Sequence, residues 1–139
     1  MKNKSKRQAT KDKILRKLKS LLLIVYIRAG VPPIGLGLRI DLDHIIPRAQ
    51  FSKKLYFEAW FDPMNLQLID RLTHEKKTSS TDGSKGRKDY RPLEVVVRLM
   101  AISQNMKNRQ LEEHKGLTGL DIYDELIEHE IERLHQEVK

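Results

Sequence analysis

The sequence predicts an α+β fold in which helices at both ends of the chain flank a short two-stranded ribbon. Apolar residues recur at three- and four-residue steps near each end of the chain, which is the pattern of an amphipathic helix. Between these stripes, one short stretch alternates apolar and polar residues and a second is largely apolar, as expected for two strands. A chain of 139 residues is long enough for one hydrophobic core and short for two.

The N-terminal half of the chain contains one predicted helix and one predicted strand. The helix begins at about Lys11, and Gly30 and the prolines at 32 and 33 end it. Alternation over residues 38–42 predicts the first strand. About twenty residues rich in aromatic side chains separate it from the second strand at 66–69, and a loop of that length is usually functional or packed on itself.

The C-terminal half is predicted to be helical apart from one linker. Good helix formers predict a short helix over residues 71–78, and the Ser-, Gly- and Lys-rich stretch after it predicts a flexible basic linker over 79–91. Pro92 suits the first position of a helix that extends to about Asn108. The last helix is predicted from Asp121, with its apolar face running to Val138.

The composition favours an anionic partner and gives no sign of a membrane span. Lys and Arg total 27 against 19 Asp and Glu, and residues 1–40 alone carry 11 basic and one acidic side chain. A basic front end of this kind favours nucleic acid, although a solvated terminal tail is the simpler interpretation. The longest apolar run, residues 21–27, is far below the roughly 20 residues needed to cross a bilayer. No cleavage site follows it, so we expect an intracellular protein that is not secreted.

Four polar residues in the middle of the chain have the residue types of a metal-assisted hydrolase. Asp43 and His44 are adjacent at the end of the first strand, Asn65 opens the second strand, and His74 follows nine residues later. A carboxylate and an imidazole make an incomplete coordination sphere for a divalent cation, which leaves room for phosphate and water. Neighbours on a strand point to opposite faces, so His44 can act separately as a general base near neutral pH. Taken singly, each residue has a duller explanation as a capping, turn or surface side chain.

The sequence around these residues resembles that of the HNH endonucleases. Ile-Asp-Leu-Asp-His-Ile-Ile-Pro at 40–47, the Asn at 65 and the His and Lys at 74 and 77 match the family's motif over about forty of the 139 residues. The resemblance implies a ββα-metal core with flanking N- and C-terminal helices, of the type found in phage homing or accessory endonucleases. It implies that Asp43 and His74 hold one divalent metal ion, with Mg²⁺ foremost and Mn²⁺, Ni²⁺ or Zn²⁺ as alternatives. The expected activity is hydrolysis of double-stranded DNA to 5′-phosphate and 3′-hydroxyl ends.

The same resemblance assigns catalytic roles to His44 as the base and to Asn65 as the residue that ties the loop ends together and holds the His44 ring. Many family members carry zinc-binding cysteine pairs; this chain has no cysteine, and Asp70 and Thr73 occupy positions that often hold the second pair. Asp41, two residues before Asp43 on the same strand face, could support the metal from outside its ligand shell. Four basic side chains that follow the proposed metal-binding histidine are expected to contact phosphates: Lys76, Lys77, Arg87 and Lys88.

These expectations divide the chain into four parts and leave two rival functions open. The parts are a basic N-terminal arm and helix (1–30), the HNH core (31–78), the basic linker (79–91) and a C-terminal helical region (92–139). The acidic C-terminal helix should repel DNA, so its apolar face is expected to pack within the chain or to bind a second copy or another protein. One rival is a non-catalytic nucleic-acid-binding module. The other is an accessory protein that recruits a partner through the last helix.

Overall fold

A computed structural model describes residues 5–32, 39–46, 60–79 and 88–137 and shows an α+β protein. In chain order, the described residues form helix α1 (Lys6–Ala29), strand β1 (Ile40–His44), a 3-10 turn (Pro63–Asn65), strand β2 (Leu66–Asp70) and helices α2 (Arg71–Ser79), α3 (Leu93–Glu113) and α4 (Leu120–Gln136). The two strands form one antiparallel sheet. The predicted fold class is therefore confirmed at the level of α+β.

Helix α1 begins five residues before the predicted start because Ser5 caps it. The Ser5 hydroxyl accepts a hydrogen bond from the Gln8 backbone N–H at 3.1 Å, which satisfies one of the unpaired donors of the first turn. Gly30 ends the helix as predicted: its φ of 70° is left-handed, and its N–H bonds to the carbonyl of Ile27. Residues 6–10, which the sequence suggests as a frayed tail, are therefore helical.

Strand β1 lies two residues later than predicted. Residues 40–44 pair with β2 so that Ile40 faces Asp70 and His44 faces Leu66, and the Ile45 N–H extends the pairing to the Asn65 carbonyl at 2.8 Å. In this antiparallel register the first residue of β2, Leu66, pairs with His44. The ladder therefore includes Asp43 and His44, which lie outside the strand predicted from the alternation over residues 38–42. Strand β2 is found within one residue of its predicted end.

Helix α3 also differs from its prediction at both ends. Pro92 is the residue before the first helical turn, not the first residue in it, and accepts at its carbonyl from the backbone of Val95. The helix continues five residues past the predicted end, where Arg109 and Glu113 form an i,i+4 ion pair at 2.9 Å. The helix then stops at a turn in which Gly116 has a φ of 74°.

The hydrophobic core lies between the three long helices and one face of the sheet. Helix α4 packs on both α1 and α3 through its own apolar stripe, in which Tyr123, Leu126, Ile127 and Leu134 are buried. Leu66 and Leu68 of β2 are buried in the same cluster. Packing inside the chain is thus one of the two fates expected for the last helix, and the apolar stripe that would have bound a second copy or another protein is largely covered.

Ion pairs join α1 to α4 along their length. Lys17 contacts Asp124 at 2.8 Å and Glu128 at 2.9 Å, and Arg28 contacts Glu137 at 3.4 Å. Since the partners advance along both helices together, α1 and α4 run parallel. Part of the basic charge of the front end is therefore matched by the acidic last helix instead of facing an external partner. None of the helices in the described ranges is both long and apolar enough to cross a membrane.

Candidate metal and catalytic site

The sheet register divides the candidate residues between two faces. Asp43 lies opposite Gln67, and His44 lies opposite Leu66. Since side chains alternate along a strand, Asp41 and Asp43 share one face and His44 lies on the other. Helix α2 follows β2 directly and contacts both strands, so the face with the two aspartates also receives His74.

His74 lies between two carboxylates. Its Nδ1 is 3.1 Å from Asp41 Oδ2, and its Nε2 is 3.4 Å from Asp43 Oδ1. The Asp43 side chain is buried, whereas His74 keeps 30% of its side chain exposed. The structure therefore brings the two predicted metal ligands together and adds Asp41 on the far side of the imidazole.

Arg71 fixes Asp41 from the first turn of α2. Its Nε donates to Asp41 Oδ2 at 2.7 Å, and its NH2 group lies 3.4 Å from Oδ1. This hydrogen bond holds the pKa of the Asp41 carboxyl below its usual 3.8; burial opposes the effect and His74 adds to it. Asp41 is thus kept as an anion next to the imidazole.

Asp70 caps the N-terminus of α2 through a side-chain hydrogen bond. Its Oδ1 accepts from the Thr73 backbone N–H at 2.8 Å, which is the geometry of a helix N-cap. Asp70 and Thr73, which stand where related sequences often carry cysteines, therefore fix the strand-to-helix junction by a hydrogen bond.

His44 is held by Trp60 on the opposite face. The two rings stack with centroids 3.3 Å apart and planes 7° apart, and His44 Nε2 is 2.9 Å from the Trp60 carbonyl oxygen. A carbonyl can only accept, so Nε2 carries the proton, and in the neutral ring the lone pair is on Nδ1. Trp60 thus orients this imidazole through both its ring and its backbone carbonyl.

Asn65 joins the two sides of the long connection. Its Oδ1 accepts from the Ile46 N–H at 2.8 Å, and its Nδ2 donates to the Ile46 carbonyl at 3.2 Å. Both functions of the amide are therefore used on one backbone residue at the end of β1. This geometry agrees with the expected tying of the loop ends, whereas the contact that orients His44 comes from Trp60.

Gln67 is a site residue that sequence reasoning missed. It is completely buried, donates to Asp43 Oδ2 at 2.9 Å and to the Lys88 carbonyl at 2.8 Å, and accepts from the Tyr90 N–H at 2.8 Å. Its signal in the sequence is weak: a single amide in the apolar run of β2, which looks like an outward-facing strand residue until the pairing with Asp43 is known.

The residues expected to contact phosphate are only partly described. Lys76 and Lys88 are exposed, on α2 and just before α3, whereas Arg87 and the side chain of Lys77 lie outside the described residues. Residues 88–91, assigned to the flexible linker, are held to the sheet: Arg91 is nearly buried and donates to the Met64 carbonyl at 2.7 Å. The division into four parts is otherwise still a prediction.

A second group of metal-type side chains lies at the turn between α3 and α4. Ligand atoms of Glu113, His114 and Glu125 lie within 4.8 Å of one another. Both glutamates are exposed, His114 is 3.2 Å from Glu125, and Glu113 is already paired with Arg109. These contacts are explained as ion pairs that close the helix junction.

No protein-family model, curated protein or solved structure matches this chain. The likeness to the HNH motif therefore rests on the residues and their geometry alone.

Proposed function

We propose that this protein is a metal-dependent DNA endonuclease in which β1, β2 and α2 act as a ββα-metal core of the HNH type. The observation that carries the proposal is the position of His74 between Asp41 and Asp43. A neutral imidazole has one N–H, so when Nδ1 donates to Asp41, the Nε2 lone pair faces the Asp43 oxygen 3.4 Å away. Two lone pairs at that distance repel each other unless a proton or a cation lies between them.

The donor set fits a divalent cation. Two ligand atoms that each lie about 2.1 Å from one ion are roughly 3.0–3.4 Å apart at angles of about 90–110°, and Asp43 Oδ1 and His74 Nε2 are 3.4 Å apart. Asp41 on Nδ1 then takes the part of the carboxylate that commonly orients a metal-bound histidine and raises its basicity. Mg²⁺ is the first candidate because it accepts few protein ligands and retains water; the imidazole also suits Mn²⁺, Ni²⁺ and Zn²⁺.

We assign the base to His44. The hydrogen bond from Nε2 to the Trp60 carbonyl leaves the lone pair on Nδ1, and stacking on Trp60 fixes the plane of the ring. In that orientation His44 would take a proton from the attacking water, and Asn65 would preserve the backbone on which His44 is carried. A divalent cation bound by Asp43 and His74 would neutralise the charge that develops on the phosphate and on the leaving 3′ oxygen. The products would then carry 5′-phosphate and 3′-hydroxyl ends.

The cations near the site suit a phosphate backbone. Lys76 follows His74 by two residues on α2, and the carbonyl of Lys88 is bound to Gln67, which in turn binds Asp43. Both lysine side chains are exposed, so they are able to contact duplex phosphates near the proposed site.

A plasmid-nicking assay with Mg²⁺, Mn²⁺, Ni²⁺, Zn²⁺ or EDTA tests the proposal. We expect nicking or cleavage with at least one of these ions and none with EDTA. Binding to the plasmid without cleavage under every condition would instead favour the nucleic-acid-binding module.

Calorimetric titration with the active ion distinguishes the two metal-type groups. Asp43→Ala and His74→Ala should each lower the affinity by at least about tenfold, because each removes one of two protein ligands. His114→Ala is the matched control, since it removes the imidazole of the other group. Normal metal binding by both site variants, or loss of binding only in His114→Ala, would contradict the assignment.

A further inference from the structure

We propose that Gln67 is a positioning residue that fixes the metal ligand Asp43 and joins it to the chain segment before α3. The inference rests on the proposed function where it concerns the metal. The part that concerns chain anchoring depends only on the hydrogen bonds of Gln67.

The Gln67 amide uses both its donors and its acceptor in hydrogen bonds to Asp43, Lys88 and Tyr90. A glutamine amide has two N–H donors and one carbonyl acceptor. The amide nitrogen donates to Asp43 Oδ2 at 2.9 Å and to the Lys88 carbonyl at 2.8 Å, and the amide oxygen accepts from the Tyr90 N–H at 2.8 Å. The side chain has no exposed surface, so losing any of these bonds would leave a buried polar group unpaired.

The bond to Asp43 would determine which carboxylate oxygen is offered to a metal ion. Oδ2 is taken by Gln67, and Oδ1 is the oxygen that lies 3.4 Å from His74 Nε2. A carboxylate held in this way would offer Oδ1 beside His74 and would not have to be ordered when an ion binds. Such partners of ligating carboxylates typically change metal affinity by about 10–100-fold when removed.

The bonds to residues 88 and 90 make the segment before α3 part of the same unit. One amide that binds the carbonyl of residue 88 and the N–H of residue 90 reproduces the pattern that a parallel neighbouring strand would make. Lys88 is thereby placed two hydrogen bonds from the metal ligand. Arg91, the residue after Tyr90, anchors the same segment independently by donating to the carbonyl of Met64 at 2.7 Å.

Two variants separate positioning of Asp43 from general support of the segment. Gln67→Met retains the length and volume of the side chain but removes all its hydrogen bonds, whereas Arg91→Met removes an anchor of the segment and leaves the Gln67–Asp43 bond in place. In titrations of the full chain with Co²⁺, we expect Gln67→Met to bind about 10–100-fold more weakly and to show an altered visible Co²⁺ spectrum. Arg91→Met should retain the wild-type spectrum and an affinity close to that of wild type.

Amide hydrogen exchange tests the anchoring without any metal. The Tyr90 N–H should be protected in the wild-type protein and should lose protection in Gln67→Met. In the wild-type protein the Gln67 side-chain amide protons should also exchange slowly and shift on addition of Mg²⁺, whereas those of the exposed Gln104 should do neither. The exchange of the Gln67 side-chain amide protons in the wild-type protein therefore tests the anchoring even if Gln67→Met does not fold.

The outcomes that overturn the inference differ from those that overturn the proposed function. Equal weakening of Co²⁺ binding in both variants would show a general structural role, and unchanged binding in Gln67→Met would exclude positioning. Fast exchange of the Gln67 side-chain amide would exclude the anchoring. Failure of the wild-type protein to bind any divalent ion would overturn the proposed function and the metal role of Gln67, while the exchange data would still judge the link to residues 88 and 90.

Discussion

The helical part of the molecule (α1, α3 and α4) and the site part (β1, the 3-10 turn, β2 and α2) bury different kinds of side chain. The helical part buries aliphatic residues and keeps most of its charges in partly exposed pairs, such as Lys17 with Asp124. The site part holds four of the six buried polar residues in the described ranges, which are Asp43, Asn65, Gln67 and Asp70.

This difference indicates that the helical part mainly supplies stability and that the site part mainly supplies the proposed chemistry. Burying polar groups costs free energy unless every group is paired. The helical part buries fewer such residues, namely Ser103 and Glu130, whereas the site part buries more of them and pairs them through hydrogen bonds of defined geometry. A change in the helical part should therefore alter the free energy of unfolding, and a change in the site part should alter activity or metal binding first.

The largest expected effect is on activity. His44→Ala removes the proposed base, so cleavage should fall by about 10²–10⁴-fold with metal binding and DNA binding close to those of wild type. Rates of plasmid nicking at saturating metal provide the measurement. A variant that retains a tenth of the wild-type rate would remove His44 from the mechanism.

The largest effect on stability should come from the helical part. Leu22 on α1 is fully buried in the core, so Leu22→Ala should lower the free energy of unfolding by about 2–5 kcal/mol. Urea titration measures this loss. At a temperature where the variant is still folded, its cleavage rate should match that of wild type; a rate as low as that of His44→Ala would mean that the two parts are not separable.

Asn65→Ala should affect both properties, because this residue belongs to the site but closes the backbone. Removing the amide leaves the Ile46 N–H and carbonyl without their side-chain partner, at a cost of about 1–3 kcal/mol. We also expect slower cleavage, since His44 lies two residues before Ile46. Asn65→Asp is the matched comparison: it retains the acceptor for the Ile46 N–H and should recover part of the stability. Equal losses in both variants would argue against the Ile46 contact as the cause.

The salt dependence of DNA binding should distinguish lysines of the two parts. If Lys76 and Lys88 each contact one phosphate, the double variant Lys76→Gln, Lys88→Gln should flatten the slope of log K against log salt by about 1.8. Lys17→Gln is the control, because Lys17 is occupied by Asp124 and Glu128, and it should leave the slope unchanged. A larger change in the control would indicate that α1 faces the DNA after all.

The smallest effect is a pH-dependent contribution from the pair that joins α1 and α4. Burial raises the pKa of Asp124, but its contacts with Lys17 and Lys13 outweigh burial and hold this pKa below the ordinary 3.8. A lowered folded-state pKa gives stability that is present above pH 3.8 and is lost as the pH falls through the folded value. Asp124→Asn should therefore be less stable than wild type by about 0.5–1 kcal/mol at pH 7, and the gap should close below pH 3.8. A gap that is constant with pH would mean that lost packing, not lost charge, is the cause.

The sequence predicted which helices and strands exist better than it predicted where they begin and end. Apolar patterns and helix-forming residues located four helices and two strands, because these signals are local in the sequence. It misplaced β1 by two residues, since the partner strand and not alternation sets where pairing begins, and it missed the Ser5 cap. For the site, the motif named Asp43 and His74, which the fold brings together. The role of Gln67 depends on strand register and on residues 21 and 23 positions later in the chain, and no local pattern contains that information.

The parallel packing of α1 on α4 also determines when the chain can finish folding. Arg28 and Glu137 are 109 residues apart in sequence, so the first helix emerges during synthesis long before the helix that covers its apolar face. Contacts of such wide sequence separation slow folding, and the unburied stripe is exposed to other chains in the meantime. A chain interrupted before Leu120 would present a basic amphipathic helix with part of its apolar face open, although α3 and the sheet still cover the rest. Such a product should aggregate or be degraded although every residue of the proposed site is present in it.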